Sequence, residues 1–257
     1  MMIILALGYW LWGKGKFTRV AILVLVSTIF NAFLKDLWEN PRPDLMFRLD
    51  GQVGNSFGMP SGHAQVSAVL WFWIAYEIRK IWAWMAATVV VAGICFSRIY
   101  LGIHDLEDIL AGLSIAVISL FVFRLLLTSK LQPLIEAPLV FWLVAIVVSG
   151  VIAHSVWPSA EHSIGAISVF GLLFSWCIGA KIEPSLVAYA PHKKVWSLVL
   201  TGAIGILGLM ILLAAVKPVL SGFEPLLAAT INAALLGVYV TLVAPMLFKL
   251  CKLSAQA

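Results

Sequence analysis

Residues 97–127 read SRIYLGIHDLEDILAGLSIAVISLFVFRLLL. The stretch changes character in its middle. Arg98, His104, Asp105, Glu107 and Asp108 crowd its first third, and no charge follows from Ile109 until Arg124. About 20 predominantly apolar residues are needed for a helix to cross a bilayer core, and residues 106–127 supply them. A polar cluster abutting such a run places chemistry at a membrane interface. Working outward, similar runs recur at 1–13, 18–34, 63–79, 81–97, 138–157, 163–180, 196–216 and 225–248, so the sequence predicts nine spans. The whole chain agrees: of 257 residues, 62% are hydrophobic and 11% charged, and mean hydropathy is +1.04. Soluble domains carry about a quarter charged residues and disordered chains are apolar-poor, so both classes are excluded. The expected fold class is all-α, a polytopic transmembrane helical bundle.

Lys and Arg orient the bundle, because cytoplasmic loops collect them. With Lys14, Lys16 and Arg19 inside and the spans alternating, twelve of the 17 basic residues fall inside. The exceptions are Lys35, Arg42, Arg48, Arg98 and Lys217. The C-terminus is then cytoplasmic, and the formal charge of +5 divides into a basic inner face and an acidic outer face. The positive excess is therefore a topology signal, and no nucleic-acid partner is expected. The first run lacks the basic start and small-residue exit of a cleaved signal peptide. Composition changes near residue 130, where Ser129 to Pro133 reads as a linker. The expected division is 1–130, a catalytic core with its motifs at 35–108, and 131–257, additional helices whose role and oligomeric contacts the sequence leaves open. Cys95, Cys177 and Cys251 share no short spacing and read as apolar fillers.

Three polar motifs fall on the outer face. Lys35 to Pro43 ends the second span, Gly58 to His63 opens the third, and Ser97 to Asp108 joins the fourth to the fifth. Lys35, Arg42 and Arg98 supply positive charge, and arginine recognises phosphate oxygens in bidentate fashion. Ser61 is a candidate N-cap, and free N–H groups at a helix start attract anions. Gly62 lets backbone approach a ligand. These are the parts of a phosphoryl cradle. Two histidines flank it, His63 and His104; one can attack phosphorus while the other protonates the leaving oxygen. Asp108 stands four residues after His104, the spacing that lets a carboxylate hold one imidazole nitrogen and aim the other. No acidic cluster suggests a metal site.

The chain resembles the type 2 phosphatidic acid phosphatase (PAP2) superfamily, in its integral-membrane lipid phosphatase branch. The family signature K-x6-R-P, P-S-G-H and S-R-x5-H-x3-D is matched by Lys35 to Pro43, Pro60 to His63 and Ser97 to Asp108, within residues 18–127. The resemblance implies a metal-independent, cofactor-free phosphatase working through a phosphohistidine. His104 would be the nucleophile, Asp108 its orienting partner and His63 the general acid. Lys35, Arg42, Ser61, Gly62 and Arg98 would bind the phosphate.

The partners expected are the bilayer and a membrane lipid phosphate or pyrophosphate, with undecaprenyl pyrophosphate first, then phosphatidylglycerol phosphate and phosphatidic acid. The expected location is a bacterial-type inner membrane, with the site on the periplasmic side. Transfer of phosphate to a lipid or glycan, and a lipid-binding or transport protein without catalysis, are the alternatives. Asp36, Glu39, Asp44, Arg48, Asp50, Asn55, Asp105 and Glu107 read mostly as solvated loop groups. Gln65 and Tyr100 read as neighbours of the site, and His154, Glu161 and His162 as outer-loop residues. The tryptophans, Trp157 included, read as an aromatic belt, and Gly202, Gly205 and Gly208 as a close helix contact.

Overall fold

A computed structural model describes residues 1–49, 56–128, 137–192 and 194–255. The described residues are mostly helical: α1 (Met2–Leu11), α2 (Lys14–Trp38), α3 (Gly62–Ile78), α4 (Ile81–Tyr100), α5 (Leu106–Thr128), α6 (Leu139–Val156), α7 (Ala160–Leu186), α8 (Val195–Leu220), α9 (Pro225–Val238) and α10 (Ala244–Leu250). A 3-10 turn, Leu45–Phe47, follows α2, and a π-helical turn, Tyr239–Val243, joins α9 to α10. The expected linker at 129–133, together with Asp50 and Asn55, lies outside the described residues, as do the side chains of Glu161 and His162.

The protein is an integral membrane protein. Among the described residues, seven helical stretches are long and apolar enough to cross a bilayer: Lys14–Trp38, Ile81–Tyr100, Leu106–Thr128, Leu139–Val156, Ser163–Leu186, Val195–Leu220 and Pro225–Leu250. The two remaining expected runs form shorter helices. Residues 1–13 form only the ten-residue α1, which at 1.5 Å per residue is about half a bilayer core. The expected span at 63–79 becomes α3, 17 residues with Gln65 and Ser67 buried in its first turns. It packs against both α4 and α5. A helix surrounded by protein can carry polar groups that a lipid-facing helix cannot. The basic trio expected in a loop also moves: Lys14, Lys16 and Arg19 begin α2.

By contact the chain forms two compact units that interleave in sequence. One comprises residues 22–137 and 154–166, the other residues 1–21, 138–153 and 167–257. In the first, Leu70 and Trp73 of α3 are buried, and Trp73 meets Phe123 of α5 edge-on with centroids 4.9 Å apart. In the second, α1 packs on α8. A Cβ at Gly205 would lie 2.3 Å from the Trp10 ring, and one at Gly208 would lie 2.1 Å from the Tyr239 hydroxyl, so the three-spaced glycines do serve close packing. Tyr239 donates to the Gly205 carbonyl at 2.9 Å, and the Trp10 indole donates to the Val240 carbonyl in the π-turn at 2.8 Å. The buried Glu183 carboxylate receives Lys14 and the Tyr189 N–H. Without a hydrophobic drive between helices in lipid, such packing and hydrogen bonds hold this unit together.

Candidate active site

The site is built around the start of α3, inside the first unit. Ser61 is its N-cap, and its hydroxyl accepts from the Ala64 N–H at 3.5 Å, a long contact that leaves the oxygen available to other donors. The Ser61 N–H donates to the Asp108 carbonyl at 2.9 Å, which ties the helix start to α5. Behind the helix start runs a buried polar chain. Asn31 of α2 donates to the Pro60 carbonyl at 3.1 Å and to the Gln65 side-chain oxygen at 2.9 Å. Gln65 in turn donates to the carbonyl and hydroxyl of Ser27 at 3.2 and 3.0 Å. A Cβ on Gly62 would stand 2.8 Å from the Asn31 oxygen. Gly62 is thus required by the close approach of α2, in addition to any approach by a ligand.

His104 lies just before α5, in the loop 101–105, and is buried. Its Nδ1 is 2.8 Å from the Asp108 carboxylate, the contact expected at this spacing. A carboxylate accepts, so Nδ1 carries the proton and Nε2 presents its lone pair. The same carboxylate oxygen accepts from the Asp105 N–H at 3.3 Å. Burial pushes the His104 ring below the ordinary histidine range; the Asp108 hydrogen bond and charge oppose this, and the Arg42 and Lys35 charges reinforce it. These influences favour the neutral ring, in which the Nε2 lone pair is unprotonated.

Arg42 reaches the same nitrogen. Its guanidinium lies 3.3 Å from His104 Nε2 and donates to the Ile103 carbonyl at 3.0 Å, while its other nitrogens bind the carbonyl and hydroxyl of Ser56 at 2.7 and 2.9 Å. Burial and the nearby Arg48 press this guanidinium below its ordinary pKa, and Asp108 counters them; arginine stays charged regardless. Lys35, in the last turn of α2, is buried and donates to the carbonyls of Phe57 and Gly58, the latter at 2.8 Å. It braces the strand of loop that leads into Pro60. Arg98 ends α4 with its Nε 3.2 Å from the Ser97 hydroxyl. His63 stands at the head of α3, and partial burial, with the Arg98 charge, the His104 ring and the Arg42 and Lys35 charges, pushes it below the ordinary histidine range. A cluster of cations around two imidazoles, one of them oriented by a carboxylate, can receive a phosphoryl group and attack it.

The structure thus brings all eight of Lys35, Arg42, Ser61, Gly62, His63, Arg98, His104 and Asp108 into one unit. Gln65, expected beside the site, lies buried behind the start of α3 and is joined to it through Asn31. Other residues fall elsewhere than expected. Tyr100 is exposed and stacks on Phe96 at 6.1 Å. Asp36 is buried and accepts from the Trp157 indole at 2.6 Å, and Trp157 is itself buried against Phe33. These two form an internal contact, where a solvated charge and an interfacial ring were expected. Glu39, Asp105 and Glu107 are exposed loop or helix-end groups. His154 sits in the last turn of α6. Asn31 and Ser27 went unremarked in the sequence; two polar residues four apart inside an apolar span were the signal that marks them.

The model of the PAP2 superfamily matches residues 16–132, and one described as the PAP2 superfamily phosphatase, transmembrane extension, matches residues 167–256. Curated relatives include sphingosine-1-phosphate phosphatase 2 of Mus musculus, 34% identical over 38% of this chain and 30% of the relative. Dolichyldiphosphatase of Saccharomyces cerevisiae is 29% identical over 39% of this chain and 47% of its own length. Phosphatidylglycerophosphatase B of Bacillus subtilis is 27% identical over 48% of this chain and 64% of its own length. The chain thus spans less than two thirds of each of these relatives. No solved structure matches.

Proposed function

The chain belongs to the PAP2 superfamily, and from that premise we propose that it is a membrane-embedded phosphatase acting on a lipid phosphate or pyrophosphate. The observation that carries the reading is the His104–Asp108 pair at 2.8 Å, with Nε2 facing Arg42. In the proposed cycle the Nε2 lone pair forms a bond to phosphorus as the bond to the leaving oxygen breaks. His63 gives that oxygen a proton. Lys35, Arg42, Arg98 and the Ser61–Gly62 helix start balance the charge on the phosphoryl oxygens. Water then attacks phosphorus, His63 takes its proton, and the phosphorus–nitrogen bond breaks to free His104. On this proposal residues 1–130 are the catalytic core and 131–257 are additional helices.

A site at the end of α2, α3 and α4 suits a substrate whose tail stays in the bilayer. Undecaprenyl pyrophosphate leads, supported by the relative named for dolichyl diphosphate, another polyprenyl diphosphate. Phosphatidylglycerol phosphate and phosphatidic acid follow, the former supported by the Bacillus subtilis relative. The site faces the periplasmic side of a bacterial-type inner membrane, with the C-terminus in the cytoplasm. Transfer to a lipid or glycan acceptor uses the same phosphohistidine and would show as labelled phosphate on the acceptor. The test is phosphate release from a panel of lipid phosphates, compared by kcat/KM with EDTA present. His104→Ala is expected to abolish release and EDTA to leave it unchanged. Release that survives His104→Ala, or stops with EDTA, overturns the mechanism. Lipid movement between leaflets unaffected by His63→Ala and His104→Ala would favour the non-catalytic reading instead.

A further inference from the structure

The loop that carries Arg42 into the site also carries four apolar side chains that stand largely exposed. Leu45, Met46, Phe47 and Leu49 are 72%, 82%, 64% and 68% exposed. A polar outer loop has no reason to spend four large apolar residues within five positions, and contiguous exposed apolar surface marks an interaction site. The segment is nonetheless ordered by its own bonds. Phe47 N–H donates to the Asp44 carbonyl at 3.0 Å and Arg48 N–H to the Leu45 carbonyl at 3.1 Å, making the 3-10 turn, and the Arg48 side chain closes it on the Pro43 carbonyl at 2.7 Å.

The turn is fastened to the loop that holds His104. Leu49 N–H donates to the Leu101 carbonyl at 3.0 Å, and Arg42 donates to the Ile103 carbonyl at 3.0 Å. Between these ties the Phe47 carbonyl lies over Gly102, whose φ is +64° and where a Cβ would come within 2.0 Å of that oxygen. Residues 42–49 and 101–104 are therefore one mechanical piece, with apolar side chains on its exterior and the His104–Arg42 pair within. Next to it the lipid-facing surface of α4 ends in exposed Phe96 and Tyr100, and α5 opens with exposed Leu106. The apolar turn continues that surface beyond the helix ends.

We propose that Leu45, Met46, Phe47 and Leu49 insert into the outer-leaflet interface beside the site, setting the depth at which Arg42 and His104 meet a headgroup and selecting substrates whose tails remain in the bilayer. The occupant is the lipid leaflet, argued from continuity with the lipid-facing surface of α4. The insertion stands on this geometry alone, and the selection of substrate rests on the phosphatase reading.

Two measurements test it. The first labels Met46→Cys with a nitroxide in lipid nanodiscs, with Cys177 and Cys251 replaced by Ala, and compares relaxation by oxygen with relaxation by a water-soluble nickel chelate. Oxygen is expected to dominate; dominance of the nickel chelate overturns insertion, whatever the enzyme does. The second compares the triple variant Leu45→Ser, Met46→Ser, Phe47→Ser with wild type on a long-chain lipid phosphate in vesicles and on p-nitrophenyl phosphate in solution. Expected is at least a tenfold fall in kcat/KM for the lipid, mainly through KM, with the soluble ester within twofold. No change for the lipid, or an equal fall for both substrates, overturns the role in selection. Wild type that releases phosphate from neither substrate overturns the phosphatase reading, and the nitroxide measurement then decides the insertion by itself.

Discussion

His104 is held between a carboxylate on one nitrogen and a guanidinium near the other, and both can be tested separately. Asp108→Asn keeps a side chain of the same size but removes the charge that stabilises an imidazolium-like transition state and orients the ring. We expect kcat to fall by about 10³–10⁴-fold with KM little changed, read by phosphate release. The pH profile carries a sign. In the proposed mechanism attack requires neutral His104, and burial with the Arg42 and Lys35 charges lowers its pKa. The rate kcat/KM should therefore fall toward acid with a midpoint below about 6.5, the ordinary histidine value. Because Asp108 acts to raise this pKa, the residual activity of Asp108→Asn should show its acid limb lower still. A wild-type midpoint above the ordinary value contradicts the neutral-ring account. The pairing of His104 with Asp108 was legible in the sequence, because four residues is a local spacing. The approach of Arg42 to the same ring was not, since the two are 62 residues apart and only the folded loops bring them to 3.3 Å.

Among the elements, α3 shows what hydropathy misses. Its first turns are anchored by the chain Ser27–Gln65–Asn31–Pro60, all of it buried. A buried polar group that loses its partner costs about 1–3 kcal/mol. Gln65→Leu leaves the Asn31 amide and the Ser27 hydroxyl short of partners, and should lower stability by about that amount. It should also lower kcat, because Asn31 holds the Pro60 carbonyl immediately before Ser61. Thermal unfolding in detergent and phosphate release check the two effects. Variants with unchanged melting and full activity would show that the chain does not position the helix start. Gln65 was visible in the sequence only as a polar residue beside a motif, which reads equally as a substrate contact. Its burial came from α2 packing across α3, a relation between residues 38 positions apart. The same cause explains α1: an apolar run of ten residues cannot span, yet it finds burial against the glycines of α8.

For the whole molecule, membrane orientation is the property to test. Twelve of 17 basic residues lie on one predicted face, and the proposed orientation puts that face and the C-terminus in the cytoplasm. Cys251 is exposed near that terminus, whereas Cys95 is buried. A membrane-impermeant maleimide should label Cys251 in inside-out vesicles and leave it unlabelled in sealed right-side-out ones. An engineered Asp105→Cys, at an exposed position beside the site, should show the reverse. Labelling of both from one side would reject the orientation. The two interleaved compact units also belong to this scale. Residues 1–21 join the later helices by contact, an arrangement that composition along the chain does not reveal.

By itself the sequence determined the membrane class, the helical fold and the three motifs, since these depend on apolar run length, on local spacing and on the placement of charge. Of its nine expected apolar runs, seven form helices of 18 residues or more among the described residues; α1 is too short to cross, and α3, at 17 residues, is packed against α4 and α5, a difference in surroundings that hydropathy does not register. Tertiary structure alone decided which polar residues brace the site, how Arg42 meets His104, and that an apolar turn is tied to the loop holding His104. Each of these rests on contacts between segments far apart in the chain. Such contacts arise when packing and hydrogen-bond satisfaction are solved for all the helices at once.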